Sequence, residues 1–97
     1  MLTSKQRAEL RALANPIDTI LQVGKNEISD ALVTQVKDAL TARELIKLRV
    51  LETAPYNPRE AAELLAERTG AEVVQVIGTR FVLYRRNPKK PVIQLAD

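Results

Sequence analysis

The spacing of apolar residues shifts several times along the chain between the period of a helix and that of a strand. The clearest helical stretch repeats an apolar residue at every fourth position: Ile28, Leu32, Val36 and Leu40. This spacing places them on one helix face. It predicts a helix from about Ser29 to Ala42, with Ser29 as the N-cap.

Two further helices are marked by their ends. Thr3 stands three residues before a glutamine, which is the spacing of a capping box. That helix is predicted to end before Pro16, because proline disfavours helical conformation in the residue before it. Asn57 and Pro58 suit the start of another helix, and Gly70 suits its end. Its inward stripe is predicted to be Ala61, Leu64, Leu65 and Arg68.

Extended segments are predicted where apolar residues alternate or form a short run. Thr19–Val23 is a short apolar stretch that stops at a glycine. In Leu45–Leu51, apolar residues alternate with Lys47 and Arg49, so that one face is apolar and the other carries two cations.

The stretch EVVQVIGTRFVLYRR, which begins at Glu72, predicts a hairpin. Gly78-Thr79 is a two-residue loop with glycine first, which is typical of a type II′ turn. The predicted register pairs Ile77 with Arg80, Val76 with Phe81, and Val74 with Leu83. One face is then apolar, with Val74, Val76, Phe81 and Leu83, and the other holds Val73, Gln75, Val82 and Tyr84.

The element order is therefore α-β-α-β-α-β-β, an α+β domain with a mixed four-stranded sheet and three helices. Helices between the first strands favour parallel pairing, and the hairpin adds an antiparallel pair. The 97 residues suit one domain, 1–97, with a core at about 2–86 and a basic C-terminal extension at 87–97.

Composition removes several kinds of chemistry. The chain has no cysteine and no histidine, so it lacks the usual general base, metal ligands and nucleophile partner. We predict no enzyme activity, no metal site and no cofactor. The apolar runs are too short to cross a membrane and the N-terminus lacks a signal-peptide core, so a cytoplasmic location is expected.

Charge is distributed unevenly along the chain. Net charge is +3, and residues 80–90 contain five cations and no acid: Arg80, Arg85, Arg86, Lys89 and Lys90. The segment 57–72 is mildly acidic. Such asymmetry is typical of a protein with an anionic partner on one side, although a cationic tail can also serve solubility alone.

The segment LQVGKNEIS, residues 21–29, joins a predicted strand to a predicted helix. Gly24 would let another backbone approach closely, Lys25 adds a cation, and the following helix start favours anions. Such a loop could grip a nucleic-acid backbone, as the GXXG loop of KH domains does. Glycine and asparagine are also ordinary turn residues, so a simple turn remains an alternative.

Four segments together resemble one known family. LTSKQRAELRALANP, LQVGKNEIS, ALTARELIKLRVL and VVQVIGTRFVLYRR resemble, in order and spacing, the CRM domain family and its small stand-alone bacterial YhbY-like members. The resemblance covers about residues 2–86. It implies a fold like the C-terminal domain of translation initiation factor three, and RNA binding linked to large ribosomal subunit precursors.

The resemblance also implies which residues contact RNA. The family's loop is carried by Gly24, Lys25 and Asn26, and Glu27 stands where the family usually has a second glycine. A carboxylate there would oppose a phosphate, and a positive φ would add strain of roughly 1 kcal/mol. The predicted basic surface comprises Lys5, Arg7, Arg11, Arg80, Arg85, Arg86 and Lys89.

Two functions from different classes follow. The first is a monomeric, non-enzymatic protein that binds structured ribosomal RNA through the Gly24 loop and a basic face, and assists large-subunit assembly. The alternative is a protein-interaction module on a ribosome-associated complex, with incidental RNA contact. The 3% aromatic content argues against a base-stacking platform of the RRM type.

Overall fold

The computed structural model describes residues 2–95; Met1 and residues 96 and 97, the ends of the predicted domain, lie outside it. Its elements are α1 (Ser4–Ala14), β1 (Thr19–Val23), α2 (Asp30–Arg43), β2 (Leu45–Val50), α3 (Pro58–Thr69), β3 (Glu72–Ile77) and β4 (Arg80–Tyr84). The predicted order of elements is confirmed. The part of the chain described contains no helix long and apolar enough to cross a membrane.

The helices begin and end at the residues that local sequence indicated. The side chains of Thr3 and Asn57 cap α1 and α3, each within a complete capping box. The Ser29 hydroxyl accepts the N–H of Leu32 at 3.1 Å and caps α2. Gly70 closes α3 in the left-handed conformation, with φ 76°. These ends were predictable because each depends on a few neighbouring residues.

The four strands form one sheet in the order β1-β2-β4-β3. β1 and β2 are parallel, with α2 as the crossover between them, whereas β4 is antiparallel to both β2 and β3. The hairpin therefore inserts its second strand into the centre of the sheet. As a result, the turn of the hairpin lies at the same end of the sheet as the C-terminal ends of β1 and β2.

The predicted register of the hairpin is correct near the turn and wrong beyond it. Ile77 pairs with Arg80 and Val76 with Phe81, but Leu83 pairs with Val73 instead of Val74. A bulge between Val73 and Gln75 adds one residue to β3, so Val73 and Val74 exchange faces. Val74 accordingly belongs to the apolar cluster beneath α1.

Helices cover the two faces of the sheet unequally. α2 and α3 pack on one face, where Ile46, Leu48 and Phe81 are almost fully buried. α1 packs on the other face through Leu10 and Ala14, against a smaller cluster that includes Val82. Leu2, Ile93 and Leu95 also pack on this face, and the part of it that carries Arg49, Ile77 and Arg80 stays exposed.

Arg68 differs from its predicted place on the inward stripe of α3. Ala61 and Leu65 are fully buried, as expected. The Arg68 guanidinium instead reaches out to the start of α2, where it donates to the Ile28 carbonyl at 3.2 Å and pairs with Asp30 at 2.6 Å. The arginine stem packs while its charged head stays in water.

The segment after β4 is fixed to the domain by a buried carboxylate. Glu44 is fully buried at the C-cap of α2. Its carboxylate accepts three backbone N–H groups: Asn87 at 2.6 Å, Val92 at 2.7 Å and Ile93 at 2.6 Å. Ile93 and Leu95 pack against the cluster beneath α1, while Lys89 and Lys90 remain exposed.

Glu44 also has the only positive φ of a non-glycine residue between positions 2 and 95, at 64°. Burial raises the pKa of its carboxyl group. The N–H groups of Asn87, Ile93 and Val92, together with the charge of Arg86, lower this pKa by a larger amount, so the net shift is downward. The folded protein therefore holds Glu44 as a carboxylate.

Candidate nucleic-acid interface

The Gly24 loop, which we define as residues 24–27, leaves the C-terminal end of β1. Lys25, Asn26 and Glu27 are all exposed, between the buried residues Val23 and Ile28. On the far side, the N–H of Ile28 donates to the Tyr56 hydroxyl at 3.4 Å. The domain thus presents a short exposed loop that is anchored at both ends.

The free protein does not require glycine at position 24. Its φ is not in the left-handed region, and a Cβ built there would meet only the Leu51 side chain, at 4.0 Å. That is an ordinary van der Waals contact. Neither backbone conformation nor internal packing explains the residue, whereas close approach by an outside backbone would.

Two expectations about this loop change with the structure. Glu27 does not have a positive φ, so the strain considered for it is absent and only its charge can oppose an anion. The start of α2 is also less open than expected, because Ser29 occupies the Leu32 N–H and the Asp30 carboxylate is exposed beside it. An anion at this loop would therefore depend on Lys25 and the loop backbone more than on the helix.

Three connections meet at the end of the sheet that carries the Gly24 loop. The N–H of Leu51 donates to the Val23 carbonyl at 3.0 Å, and the N–H of Val50 donates to the Thr79 carbonyl at 2.7 Å. These bonds place the loop after β2 between the Gly24 loop and the hairpin turn. We call this end of the sheet, with its three connections, the hairpin end.

A row of four side chains crosses the open sheet face at the hairpin end. The paired positions are Gln22 with Arg49, Arg49 with Arg80, and Arg80 with Ile77. Arg49 and Arg80 are exposed and directly opposite each other. Like charges in this arrangement destabilise a sheet. Neither guanidinium pairs with a carboxylate within residues 2–95.

A shallow depression adjoins this row. Its volume is about 110 Å³, and it lies between the end of α1 and the strands. It is lined by Ala14, Asn15, Lys47, Gln75, Ile77, Arg80, Phe81 and Val82. Lys47 is half-buried here, on the same face of β2 as Arg49; the sequence places both on one strand face, and neither is among the predicted RNA-binding residues.

The remaining predicted contact residues do not gather at one place. Arg80 begins β4 and Arg85 follows its end, so Arg85, Arg86 and Lys89 lie at the opposite end of the sheet from Lys25. Lys5 and Arg11 are exposed on α1, and Arg11 is in its last turn. The structure therefore groups Gly24, Lys25, Asn26 and Arg80, and adds Lys47 and Arg49 to them.

Two predicted contact residues make bonds within the domain. The Arg85 guanidinium donates to the Thr69 carbonyl at 2.9 Å, the Lys37 carbonyl at 3.1 Å and the Thr41 hydroxyl at 2.8 Å. It thereby joins the ends of α2 and α3. Arg7 donates to the Val73 carbonyl and lies 3.9 Å from Glu72. Sequence could not separate these arginines from exposed ones, because their acceptors are distant in the chain.

Fold and surface together define a small α+β domain with a glycine loop and an unneutralised arginine pair at one end of its sheet. The chain matches the CRS1/YhbY (CRM) domain family over residues 2–85. It belongs to that family.

Individual relatives support the same assignment. The probable RNA-binding protein YqeI of Bacillus subtilis is 39% identical over 95 residues, covering 98% of this chain and 99% of the relative. An RNA-binding protein of Haemophilus influenzae is 30% identical, with 87% and 85% coverage. The solution structure of the hypothetical protein SAV1595 from Staphylococcus aureus matches with a TM-score of 0.82 and 45% identity, covering 99% of this chain and 100% of that one.

Proposed function

We propose that this protein is a non-enzymatic RNA-binding protein that recognises structured RNA by its phosphate backbone through the hairpin end. The observation that carries the proposal is the exposed Arg49–Arg80 pair beside the Gly24 loop, in which the free protein does not require a glycine. An anionic chain would neutralise the arginine pair, and the lack of a side chain at Gly24 would let that chain approach the loop closely. The names of the relatives, which describe RNA-binding proteins, support the same partner.

In this mechanism each part of the surface has a physical role. Gly24 lets the RNA backbone approach the loop amides, and Lys25 provides a mobile cation next to them. Arg49 and Arg80 present planar guanidinium groups that can bind phosphate through two N–H donors each. Phosphate contacts position a protein without reading sequence, so recognition of RNA shape is expected to dominate.

The other predicted cations fall into two groups. Exposed Lys5, Arg11, Arg86 and Lys89 extend the field that attracts RNA, and they act at longer range. Arg7 and Arg85 are assigned to holding the fold, because their guanidinium groups already bond to backbone carbonyls. The proposed interface is therefore narrower than the one implied by the family resemblance alone.

We further propose that the RNA is a large-subunit ribosomal RNA precursor, and that the monomeric protein assists its assembly in the cytoplasm. This part rests on the family resemblance. It is tested by sedimenting cell extracts on a sucrose gradient with and without ribonuclease. Co-sedimentation with a precursor particle that ribonuclease abolishes supports it. A partner that persists after digestion would favour a protein-interaction module instead.

The salt dependence of RNA binding gives a first prediction. Log affinity should fall linearly with log salt, with a slope of about −0.7 to −0.9 per phosphate contact. The variants Arg49→Gln and Arg80→Gln should each flatten the slope by about one contact. Either change should also raise the free energy of unfolding by about 0.2 to 1 kcal/mol, because it removes the like-charge pair.

The matched control is Arg43→Gln, an exposed arginine in the last turn of α2, at the opposite end of the sheet from the hairpin end. It should leave the slope unchanged and change stability by less than about 0.5 kcal/mol. A slope that falls equally in Arg43→Gln and Arg49→Gln would mean that only total charge matters, and the proposed interface would be wrong.

A second prediction separates neighbouring arginines at the other end of the sheet. Arg85→Gln should lower the free energy of unfolding by about 1 to 3 kcal/mol, because carbonyl groups of α2 and α3 lose a charged donor. Arg86→Gln removes the same charge from an exposed side chain and should change stability by less than about 0.5 kcal/mol. Urea unfolding measures both. Equal stability of the two variants would show that the Arg85 bonds contribute nothing.

A further inference from the structure

The depression beside the arginine row has the size of a small ring system. Its volume of about 110 Å³ corresponds to roughly three or four water molecules at about 30 Å³ each. A whole nucleotide would not fit inside it, but a flat ring could enter while its sugar and phosphate stayed outside. The floor consists of sheet residues of β3 and β4, and the end of α1 forms one wall.

The lining offers both apolar surface and free hydrogen-bonding groups. Ile77 is 59% exposed and gives the depression an accessible apolar side chain. Neither the Asn15 nor the Gln75 side-chain amide is hydrogen-bonded within residues 2–95. Each amide has a donor and an acceptor. This combination suits a heterocycle whose faces are apolar and whose edges are polar.

Cations lie where the charged part of such a ligand would be. Lys47 and Arg80 contribute to the rim of the depression, and Arg49 is directly opposite Arg80 across the strands. A ring seated in the depression would therefore have its attached phosphate next to two or three cationic groups. A ring without an attached anionic group would leave the Arg49–Arg80 pair unneutralised.

We infer that the depression lined by Asn15, Gln75 and Ile77 is a subsite for the base of one unpaired nucleotide whose phosphate lies on Arg49 and Arg80. The inference rests on the proposed function and adds a preference to it. In an A-form duplex the bases are stacked and their edges lie in grooves, so side chains reach bases mainly in loops, bulges and ends. Only a base that has left the stack can enter this depression.

The test compares two RNA hairpins with equal numbers of phosphates, one fully paired and one with a single-nucleotide bulge. The bulge is made with each of the four bases. Wild-type protein should bind the preferred bulged hairpin about tenfold more tightly than the paired one. A 2-aminopurine placed in the bulge should change its fluorescence on binding, because the base leaves its stacked neighbours.

Two variants and a control assign the preference to the depression. Gln75→Leu and Asn15→Ala should each reduce the tenfold preference to threefold or less, with affinity for the paired hairpin and the salt slope unchanged. Asn15 is exposed at the end of α1, so its variant keeps the test valid if the β3 variant fails to fold. Gln35→Leu, an exposed glutamine of α2 on the opposite face, should keep the full preference.

The possible failures are distinguishable. If wild-type protein binds both hairpins equally and Lys25→Glu weakens both, the subsite is wrong and the proposed function stands. If Gln75→Leu and Asn15→Ala fold and keep the tenfold preference, the base binds elsewhere and the subsite is again wrong. If the folded wild-type protein binds neither hairpin, the proposed function fails and the inference fails with it.

Discussion

Replacing Glu44 by alanine should lower the free energy of unfolding by about 2 to 4 kcal/mol. The carboxylate accepts hydrogen bonds from three backbone N–H groups. Each is a hydrogen bond to a charged group and contributes about 1.5 to 3 kcal/mol. The total is smaller than their sum, because residues 87–95 can detach and hydrate their amides. For a domain of this size, each kcal/mol shifts the melting temperature by about 4 to 8 °C.

The backbone conformation at Glu44 provides a further check. With φ at 64° and ψ at −41°, a residue with a Cβ is strained by roughly 1 to 3 kcal/mol. Glu44→Gly should therefore be more stable than Glu44→Ala by about 1 kcal/mol, although both lose the carboxylate. The exposed loop residue Glu52 gives the control Glu52→Ala, which should be within about 0.5 kcal/mol of wild type. Wild-type stability in Glu44→Ala would refute the proposed anchoring of the C-terminal segment.

Acid should also lower the free energy of unfolding, because it protonates the Glu44 carboxylate. Because the folded-state pKa of Glu44 lies below its ordinary value of 4.5, the unfolded chain binds the proton more readily than the folded one. Its contribution to stability is fully present above about pH 4.5 and is lost as the pH falls through the lower, folded-state value. Hydrogen exchange at the Val92 and Ile93 amides measures the release, and Glu44→Gln should lack this pH dependence.

The largest effect on binding is expected at the Gly24 loop. Lys25→Glu should weaken RNA binding more than tenfold, or about 1.4 kcal/mol, because it replaces an attractive charge with a repulsive one beside the backbone. Glu27→Gly should tighten binding, since it removes a like charge near the phosphate. Both side chains are exposed, so neither change should lower the melting temperature. Titration of a labelled structured RNA measures the affinities.

The two variants also test how Glu27 acts. If neither variant changes affinity, the loop is only a turn and RNA binds elsewhere on the basic surface. If Glu27→Gly weakens binding, the carboxylate accepts a hydrogen bond from a base or a 2′-hydroxyl, and it is not an obstacle. Lys37→Glu, at an exposed position of α2, controls for the change in net charge and should have the smaller effect.

Local sequence determined the elements of this protein. Caps, prolines and glycines act over three or four residues, so Thr3, Asn57 and Gly70 marked helix ends that the structure confirms. Alternation in β2 correctly separated its apolar face from its cations for the same reason. The glycine-first turn also fixed the first two pairs of the hairpin.

Contacts between distant segments decided the rest. The bulge beyond Val73 changed the register because its position depends on packing against both faces of the sheet. Arg85 and Glu44 hold the fold together. Local sequence could not show this, because their hydrogen-bond partners lie more than 15 residues away in the chain. The Arg49–Arg80 pair exists only because β4 lies next to β2. Sequence lists cations, but strand order decides which of them share a surface, since neighbours across a sheet need not be neighbours in the chain.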